Sequence, residues 1–334
     1  MAVTIRDVAD AAGVSIATAS RALSGSRRVS PDLAARVTEA ARALGYRHNV
    51  LARALRRGQT NTIGMIVPEI ANPFFPAIVE AVERRLQETG RDLFLCDAQL
   101  DSETERHRVL ALVGRQVDGL IITPVSATDS RAALIEAAQR TPVVQLDRYV
   151  NGFEADWVGV DEELAMRQIA DHVAATGART CVFVSARPDS SAAQRRDASF
   201  EAAARNAGLS VAAPHLLGTF SAEWGKQAAA AILSLDCLPD AVICGNDEIA
   251  MGILSEFRHG RIAVPEDVVV TGFDDVRFAA LTDPPLTTVR QPRERMALEC
   301  IRLLDARIAD PSSEVLRIAL APTLVVREST GGRL

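Results

Sequence analysis

The segment SIATASRAL near the N-terminus combines residue types that suit contacts with the edges of base pairs. Arg21 lies three residues after Thr18, on the same face of a helix, and an arginine there can bond guanine O6 and N7 together. Ile16, Ala17 and Thr18 can contact thymine methyl groups, and Ser20 lies beside them. Because a recognition helix docks its N-terminal end in the major groove, this segment predicts a DNA-reading helix; a solvent-facing Arg21 is the alternative.

Charge is divided unevenly along the chain. Residues 1–60 hold ten arginines and four acids, whereas the remainder has a net charge of −12, within a total of −6. A basic segment on an acidic body predicts a polyanionic partner, although on charge alone a solvated basic surface stays an alternative. Ser15, Arg28 and Ser30 suit phosphate contacts, and Thr4 completes the predicted DNA-contacting set of this segment.

The sequence holds no constellation that predicts catalysis, a metal or a cofactor. GTFSAEWGK ends in Gly-Lys, but Phe220 and Gln227 stand where a phosphate-binding loop needs glycine and then serine or threonine. No G-x-G-x-x-G follows a strand, no G-x-S-x-G is present, and the five histidines lack metal-ligand spacing. The five cysteines form no C-x-x-C pair and lie mostly in apolar runs, which predicts buried, reduced thiols.

Composition predicts a globular protein outside the membrane. The chain has 334 residues, of which 48% are hydrophobic, enough for a sizeable core. No run of about 18 apolar residues is present, and the N-terminal MAVTIRDVADAAGVS has charges where a signal peptide has its apolar core. We therefore expect a cytoplasmic location.

Three short helices are predicted to position the DNA-reading residues. Thr4 can cap the first, near 5–12, and Gly13 permits the turn that follows. Ser15 can cap the second helix, while Ser30 and Pro31 mark the start of a third. Six apolar residues are expected to form a shared core: Val8, Val14, Ala19, Leu23, Val37 and Leu44. This arrangement predicts a helix-turn-helix.

From Thr62 onward, apolar runs of strand length alternate with amphipathic helical segments. Continuous apolar strands between helices indicate parallel sheets covered on both faces. About ten strands divide more naturally into two sheets than one, and the tail is expected to cross back between them. The predicted fold class is thus α/β with a small helical head.

Several blocks resemble the LacI/GalR family of bacterial transcription regulators. They include the N-terminal VTIRDVADAAGVSIATASRALSG, then RRDASF, AVICGNDEIAMGIL and VVVTGFDDVRFAALTDPPLTTVRQP, in the order typical of that family. The resemblance covers nearly the whole chain. It implies a periplasmic-binding-protein-like core of two Rossmann-like lobes, with a small-molecule effector in the cleft, and a homodimer on near-palindromic double-stranded operator DNA.

The resemblance also implies domain boundaries. The helix-turn-helix head takes residues 1–47, a hinge helix or linker takes 48–60, and the effector-binding and dimerisation core takes 61–334. Within the core, the first lobe is expected to hold about 61–160 with 293–321, and the second lobe about 161–290 with 322–334.

Eight pocket side chains follow from the resemblance: Phe74, Phe75, Asp147, Arg148, Arg196, Phe220, Asn246 and Asp274. Aromatic plates suit a ring face, while Arg and Asp side chains suit hydroxyl groups or ring nitrogens. Alternatives remain for some positions. Phe75 can be plain core, Asp247 and Asp275 can be helix caps rather than ligands, and Arg148 can pair with an acid across the cleft.

The stretch NVLARALRRGQTNTIG matches the family's hinge. Asn49 can cap a helix of about nine residues, which is marginal in water, so we expect it to order on DNA. By the resemblance Leu55 is a wedge that enters the minor groove, with Ala52, Arg53 and Arg56 alongside.

The chain departs from the family pattern at informative places. Asp161 and Glu162 stand where Asp-Asn is common, so Glu162 brings an extra acid to the crossover between lobes. Ser199 replaces a common glycine. Ile16 and Ala17 are not the residues with which the lac repressor itself reads DNA, so no operator sequence can be transferred.

The predicted function is therefore an effector-controlled repressor, with a sugar or sugar derivative as the expected effector. A nucleobase-responsive repressor of the same family is the alternative. A transport solute-binding protein needs export and does not explain the basic head. A sugar-modifying enzyme needs an acid-base pair or metal site that the sequence lacks.

Overall fold

The computed structural model describes residues 3–23, 29–46 and 59–331. The chain divides into two compact units, Met1–Thr60 and Asn61–Leu334. The first unit is helical, and the second is α/β. Among the described residues, no helix combines the length and apolar character needed to cross a bilayer.

The described part of the first unit contains three helices, which we call the head: α1 (Ile5–Ala12), α2 (Ile16–Leu23) and α3 (Pro31–Ala43). Local signals set their starts. Thr4 and Asp7 form a reciprocal capping box at α1, in which Thr4 accepts from the Asp7 backbone N–H and Asp7 accepts from that of Thr4. Gly13 ends α1 with φ 60°, a left-handed conformation that glycine adopts without a Cβ clash.

A small core joins the three helices. Val8, Ala19 and Val37 are fully buried, with Val14 and Leu23 packed beside them. The prediction that Leu44 belongs to this core was wrong, because its side chain is 37% exposed. Leu44 is the C-cap residue of α3, where the chain leaves the helix and the helical periodicity no longer holds. Tyr46 packs against the core instead.

A parallel sheet organises the first lobe of the second unit. Its elements begin with β1 (Thr62–Val67), α4 (Phe74–Glu88), β2 (Asp92–Asp97), α5 (Ser102–Gly114), β3 (Gly119–Ile122), α6 (Arg131–Ala138), β4 (Val143–Leu146) and β5 (Asp156–Val160). In the described residues this sheet has the order β12-β5-β4-β3-β1-β2, all parallel, with β12 (Arg317–Leu320) added from the tail. β1, β3 and β4 are buried along their length, as expected for strands covered by helices on both faces.

A second sheet follows the same plan. Its elements are α7 (Glu162–Ala175), β6 (Thr180–Ala186), α8 (Ser191–Asn206), β7 (Ser210–Val211), β8 (Leu216–Gly218), α9 (Ala222–Leu233), β9 (Ala241–Cys244), α10 (Asp247–His259), β10 (Val269–Asp274) and β11 (Thr287–Arg290). Its described strands run β13-β11-β10-β9-β6-β7, in which β13 (Thr323–Val325) comes from the tail, and β8 also pairs with β6. Only β13 is antiparallel to its neighbour, β11, among these strands. The predicted α/β class with parallel-sheet lobes and a helical head is confirmed.

The described chain passes between the sheets three times: after β5, after β11, and between β12 and β13. Helix α11 (Arg293–Ala309) follows the second passage and packs its Met296, Cys300 and Leu304 into the core of the first lobe. The three passages hold the lobes together while leaving a cleft between the carboxyl ends of their strands, where ligands bind in open α/β sheets.

Candidate functional site

Helix α2 presents three predicted base-reading side chains at the surface, those of Ile16, Ala17 and Arg21, while Thr18 is half-buried. Ser15 caps the helix, since its Oγ accepts from the Thr18 backbone N–H at 3.1 Å. Ile16 is 40% exposed and takes no part in the head's core. Ala17 and Arg21 are also exposed, and Arg21 Nε donates to the Ala17 carbonyl at 3.2 Å. This surface can meet base edges without rearrangement of the core.

The other predicted DNA contacts are divided between described and undescribed residues. Thr4 is exposed at the start of α1, and Ser20 is half-buried on α2. Ser30 precedes α3 and is exposed, but its side chain makes no capping hydrogen bond. Six predicted contacts lie outside the described residues: Arg28, Asn49, Ala52, Arg53, Leu55 and Arg56.

The eight predicted effector residues line a single cavity between the two lobes. The free space that they enclose is about 10 Å³, and Asn72, Ala192 and Gln291 complete the wall. Phe74 and Phe75 begin α4 just after β1, and their rings meet edge to face at 5.2 Å. The first lobe also contributes Asp147 and Arg148 directly after β4. In this arrangement of the lobes the free space holds about one water molecule, so a ligand can enter only if the lobes move apart.

Two acids at the strand ends have unusual backbone conformations. Asp147 follows β4 with φ 64°, and Asp274 ends β10 with φ 104°. Left-handed conformations of non-glycine residues are costly and concentrate at functional sites. Here they place both carboxylates in the cavity wall from opposite lobes.

The guanidinium group of Arg196 is held by residues of the second lobe. Its Nε and Nη2 donate to the two carboxylate oxygens of Glu162 at 2.8 and 3.1 Å, and its Nη1 donates to the Gly245 carbonyl at 2.7 Å. The guanidinium also stacks on Phe273, with 3.6 Å from Cζ to the ring centroid. Burial raises the pKa of Glu162 to about 7 against the opposing attraction of Arg196, and burial raises the pKa of Asp274 to about 6.

Arg148 is paired only loosely. Its Nε lies 3.8 Å from Asp147 Oδ2, a distance too long for a hydrogen bond. Its guanidinium lies between two aromatic rings, 5.5 Å from the Phe75 centroid and 5.8 Å from that of Phe220. Burial raises the pKa of Asp147 and lowers the pKa of Arg148. Arg148 therefore contacts the preceding residue, Asp147, rather than an acid across the cleft.

Three buried polar atoms in the cavity wall make no hydrogen bond within the described residues. They are Asp147 Oδ1, Arg148 Nε and Gln291 Oε1. A buried polar group left unpaired costs about 1–3 kcal/mol, so such groups in a cleft favour a ligand that satisfies them. Two acceptors and one donor suit a ligand rich in hydroxyl groups.

The structure adds wall residues that the sequence did not indicate as ligands. Asn72 follows β1, and its Oδ1 accepts from the Phe74 backbone N–H at 3.0 Å. Gln291 lies on the passage from β11 to α11, and its Nε2 donates to Asp274 Oδ1 at 2.8 Å. Both follow strand ends, which was the available signal. From the sequence, Glu162 is only an extra acid near the crossover between the lobes.

Asp247 and Asp275 are not helix caps, contrary to the alternative considered from the sequence. Asn246 is the N-cap of α10 and accepts from the Ile249 backbone N–H. Asp247 accepts from the Val276 backbone N–H and the Thr288 hydroxyl at 2.8 and 2.5 Å.

Asp275 instead binds two arginines, accepting from Arg290 and Arg327 at 2.6 Å each. These carboxylates tie β10, β11 and the tail together, which short-range sequence signals do not reveal.

A second, larger cavity of about 350 Å³ adjoins the first and shares Asp147 and Ala192 with it. Trp157 and Tyr149 form part of its wall, and Trp157 Nε1 donates to the Asp147 carbonyl at 3.2 Å. The described residues hold no cluster of three or more His, Cys, Asp or Glu side chains that could bind a metal.

A helix-turn-helix head joined to a two-lobed core with a polar interlobe cavity defines the class of ligand-responsive DNA-binding regulators. Comparison with known proteins agrees. Residues 4–49 match the bacterial regulatory proteins of the lacI family, and residues 170–330 match the periplasmic binding protein-like domain. The ribose operon repressor of Escherichia coli K12 is 31% identical over 327 residues, covering 98% of this chain and 99% of the relative.

Solved structures show the same architecture. The Lac repressor dimer bound to operator and the anti-inducer ONPF superposes with a TM-score of 0.89 at 26% identity, covering 99% of both chains. A LacI family regulator from Enterococcus faecium with bound ribose gives 0.69 at 26% identity, covering 80% of this chain and 98% of the other. This chain belongs to the lacI family of bacterial regulatory proteins.

Proposed function

We propose that this chain is a homodimeric transcriptional repressor whose affinity for operator DNA is controlled by a small polar effector in the interlobe cavity. The observation that supports it most is that eight side chains from both lobes converge on one cavity, where three polar atoms have no hydrogen-bond partner in the described part of the chain. In this proposal the head is residues 1–47, the hinge is 48–60 and the core is 61–334.

The DNA-binding part of the proposal rests on the surface of α2. Its exposed Ile16, Ala17 and Arg21 provide apolar and hydrogen-bonding contacts to base edges. The ten arginines of residues 1–60 provide phosphate contacts and a salt-dependent affinity.

The effector is proposed to be a sugar or sugar derivative. Asp147 Oδ1 and Gln291 Oε1 accept hydrogen bonds, which ring hydroxyls donate, and Phe75 offers an apolar ring face. The Enterococcus faecium relative was solved with bound ribose, which supports this class. A nucleobase is the alternative, because Phe75 and Phe220 can also stack on a planar ring.

The effector acts only through different affinities for two arrangements of the lobes. To shift the ratio of the populations of the two arrangements from 1:99 to 99:1, the effector must bind one arrangement about 10⁴-fold more tightly than the other. We propose that the DNA-free arrangement binds the effector more tightly, so that the effector releases the operator.

The experiment begins with selection of bound sequences from a random DNA pool, which yields the operator. Calorimetry against sugars and purines, followed by operator binding with each ligand, then tests control. Asp274→Asn should weaken ligand binding while Asp305→Asn, at a partly exposed site on α11, should not. Tight binding of purines alone would reverse the sugar assignment, and selection of no sequence would overturn the DNA-binding proposal.

A further inference from the structure

The carboxylate of Glu162 occupies the hydrogen-bonding edge of Arg196 beside the cavity. Its side chain is 7% exposed and that of Arg196 is 4% exposed, so water replaces neither partner. The two hydrogen bonds, at 2.8 and 3.1 Å, join both carboxylate oxygens to Nε and Nη2. This is the bidentate geometry with which an arginine would otherwise bind a carboxylate or phosphate group of a ligand.

The rest of the Arg196 guanidinium is also engaged. Nη1 donates to the Gly245 carbonyl at 2.7 Å, and the Phe273 ring covers one face. Asp274 Oδ1 lies 4.0 Å from Nη2 on the cavity side. An anionic ligand therefore meets Arg196 with its bidentate edge occupied and a carboxylate nearby.

The net charge around the cavity also disfavours an anionic ligand. Its charged wall residues are two arginines, Arg148 and Arg196, and two acids, Asp147 and Asp274. At about pH 8, above its raised pKa of about 7, Glu162 is ionised and makes the local total negative by one charge. Arg148 cannot compensate, because Asp147 lies beside it at 3.8 Å.

The unpaired atoms complete the description of the ligand. Asp147 Oδ1 and Gln291 Oε1 need donors, and Arg148 Nε needs one acceptor. Hydroxyl groups serve as both, and a protonated amine serves as a donor for the carboxylate. A phosphate or carboxylate group brings acceptors to a wall that already has an excess of them.

We propose that Glu162 determines the charge selectivity of the cleft, admitting uncharged or cationic polyhydroxylated effectors such as sugars, polyols and amino sugars, and rejecting sugar phosphates and sugar acids. This inference rests on the proposed effector function of the cavity. It assigns to Glu162 a role beyond holding α7 against α8, which the same ion pair also performs.

The test compares the full-length wild type with Glu162→Gln, which keeps the size of the side chain and removes its charge. Calorimetry at about pH 8 uses glucose, glucosamine, glucuronate and glucose 6-phosphate, together with ribose and ribose 5-phosphate. The wild type should bind neutral or cationic members and reject the anionic ones. Glu162→Gln should bind at least one anionic member about tenfold more tightly than the wild type, because Arg196 becomes available to it.

Two further variants distinguish a role of Glu162 in ligand selectivity from a purely structural role. Glu162→Asp keeps the charge and should keep rejecting anions. Glu162→Gln combined with Arg196→Gln removes the cation and should lose the gained anion binding, while the unfolding temperature reports on the structure. A purely structural Glu162 would lower stability in Glu162→Gln and leave the ratio of anionic to neutral affinities unchanged, which overturns the proposal.

Other outcomes are equally decisive. Wild-type binding of a sugar phosphate or sugar acid as tight as that of its neutral parent overturns the proposal even if Glu162→Gln does not fold. A purine base is added to the panel, and wild-type binding of that base alone overturns the hydroxyl-rich class. Absence of any binding to either protein overturns the inference as well. Operator binding on the same samples shows whether the proposed repressor function has failed too, since it depends on the head and not on cleft selectivity.

Discussion

The side-chain amide of Gln291 donates to Asp274 Oδ1 at 2.8 Å, joining a passage between the lobes to the end of β10 in the cavity wall. The other end of that amide, Oε1, is buried without a partner among the described residues. Gln291 is therefore placed to bind a ligand on one side and to hold Asp274 on the other. This arrangement makes it a direct link between the cavity and the segment that connects the lobes.

We expect Gln291→Ala to weaken binding of the effector about tenfold, since it removes one buried acceptor and frees Asp274 Oδ1. Operator affinity without effector should be unchanged, because the head is untouched. Calorimetry and operator titration measure the two quantities. The exposed Gln139 provides the control, and Gln139→Ala should match the wild type in both. Equal effector affinities for Gln291→Ala and wild type would contradict this role.

Arg21→Ala should relax sequence preference at one base pair of each half-site, at a cost of about 1–3 kcal/mol for the preferred base. Arg42, on α3, is the control because its exposed side chain pairs with Glu39 within the head. Arg42→Ala should leave the base preference intact. Binding curves on the selected operator and its single-base variants measure this preference. An unchanged base preference in Arg21→Ala would mean that Arg21 faces solvent or contacts a phosphate group instead of a base.

Leu55→Ala should greatly lower specific operator affinity while leaving effector binding intact, because a minor-groove wedge acts only on DNA. Arg53→Ala and Arg56→Ala should reduce the slope of affinity against salt concentration. Fluorescence titration at several salt concentrations measures both effects. If Leu55→Ala binds its operator like the wild type, the segment is a linker with an incidental leucine.

Leu281→Glu should convert the dimer to a monomer. Leu281 is 77% exposed in the short helical turn after β10, and Phe278 beside it is 40% exposed, an apolar surface that a partner subunit would cover. Ile135, on α6, is also exposed and apolar, so Ile135→Glu is the control that should remain dimeric. Sedimentation equilibrium distinguishes these results. A dimeric Leu281→Glu protein would place the interface elsewhere.

The contribution of Glu248 to the stability of the folded protein should fall as pH rises. Burial, followed by the nearby charge of Glu69, raises the pKa of Glu248 to about 7, above its ordinary value of 4.5. Between these values the folded state binds more protons than the unfolded state, so the free energy of unfolding falls as pH increases through this window.

Urea unfolding of wild type and Glu248→Gln at about pH 5 and pH 8 measures this contribution. The stability of Glu248→Gln relative to wild type should increase between the two pH values. Glu136→Gln, at an exposed position on α6, should show no such increase. A pH-independent difference between Glu248→Gln and wild type would contradict the expected titration.

Local signals in the sequence were sufficient for the helices of the head and the alternation of strands and helices in the core. The Thr4–Asp7 capping box and the left-handed Gly13 involve only neighbours, so they can be read from spacing alone. Buried parallel strands give continuous apolar runs because helices cover both of their faces, so these runs are visible in the sequence. The family's motifs indicated eight cavity residues, because each follows a strand end or lies on an adjoining helix.

Tertiary structure alone decided what those residues touch. Arg196 and Glu162 are 34 positions apart, and only the packing of α7 against α8 joins them in a bidentate pair. Gln291 reaches Asp274 through a passage between lobes whose course no local pattern specifies. Charge and hydrogen-bonding capacity in a cavity depend on which partners are already engaged. To know which polar groups already have partners, one needs the distances between atoms, and residue types and their spacing do not give those distances.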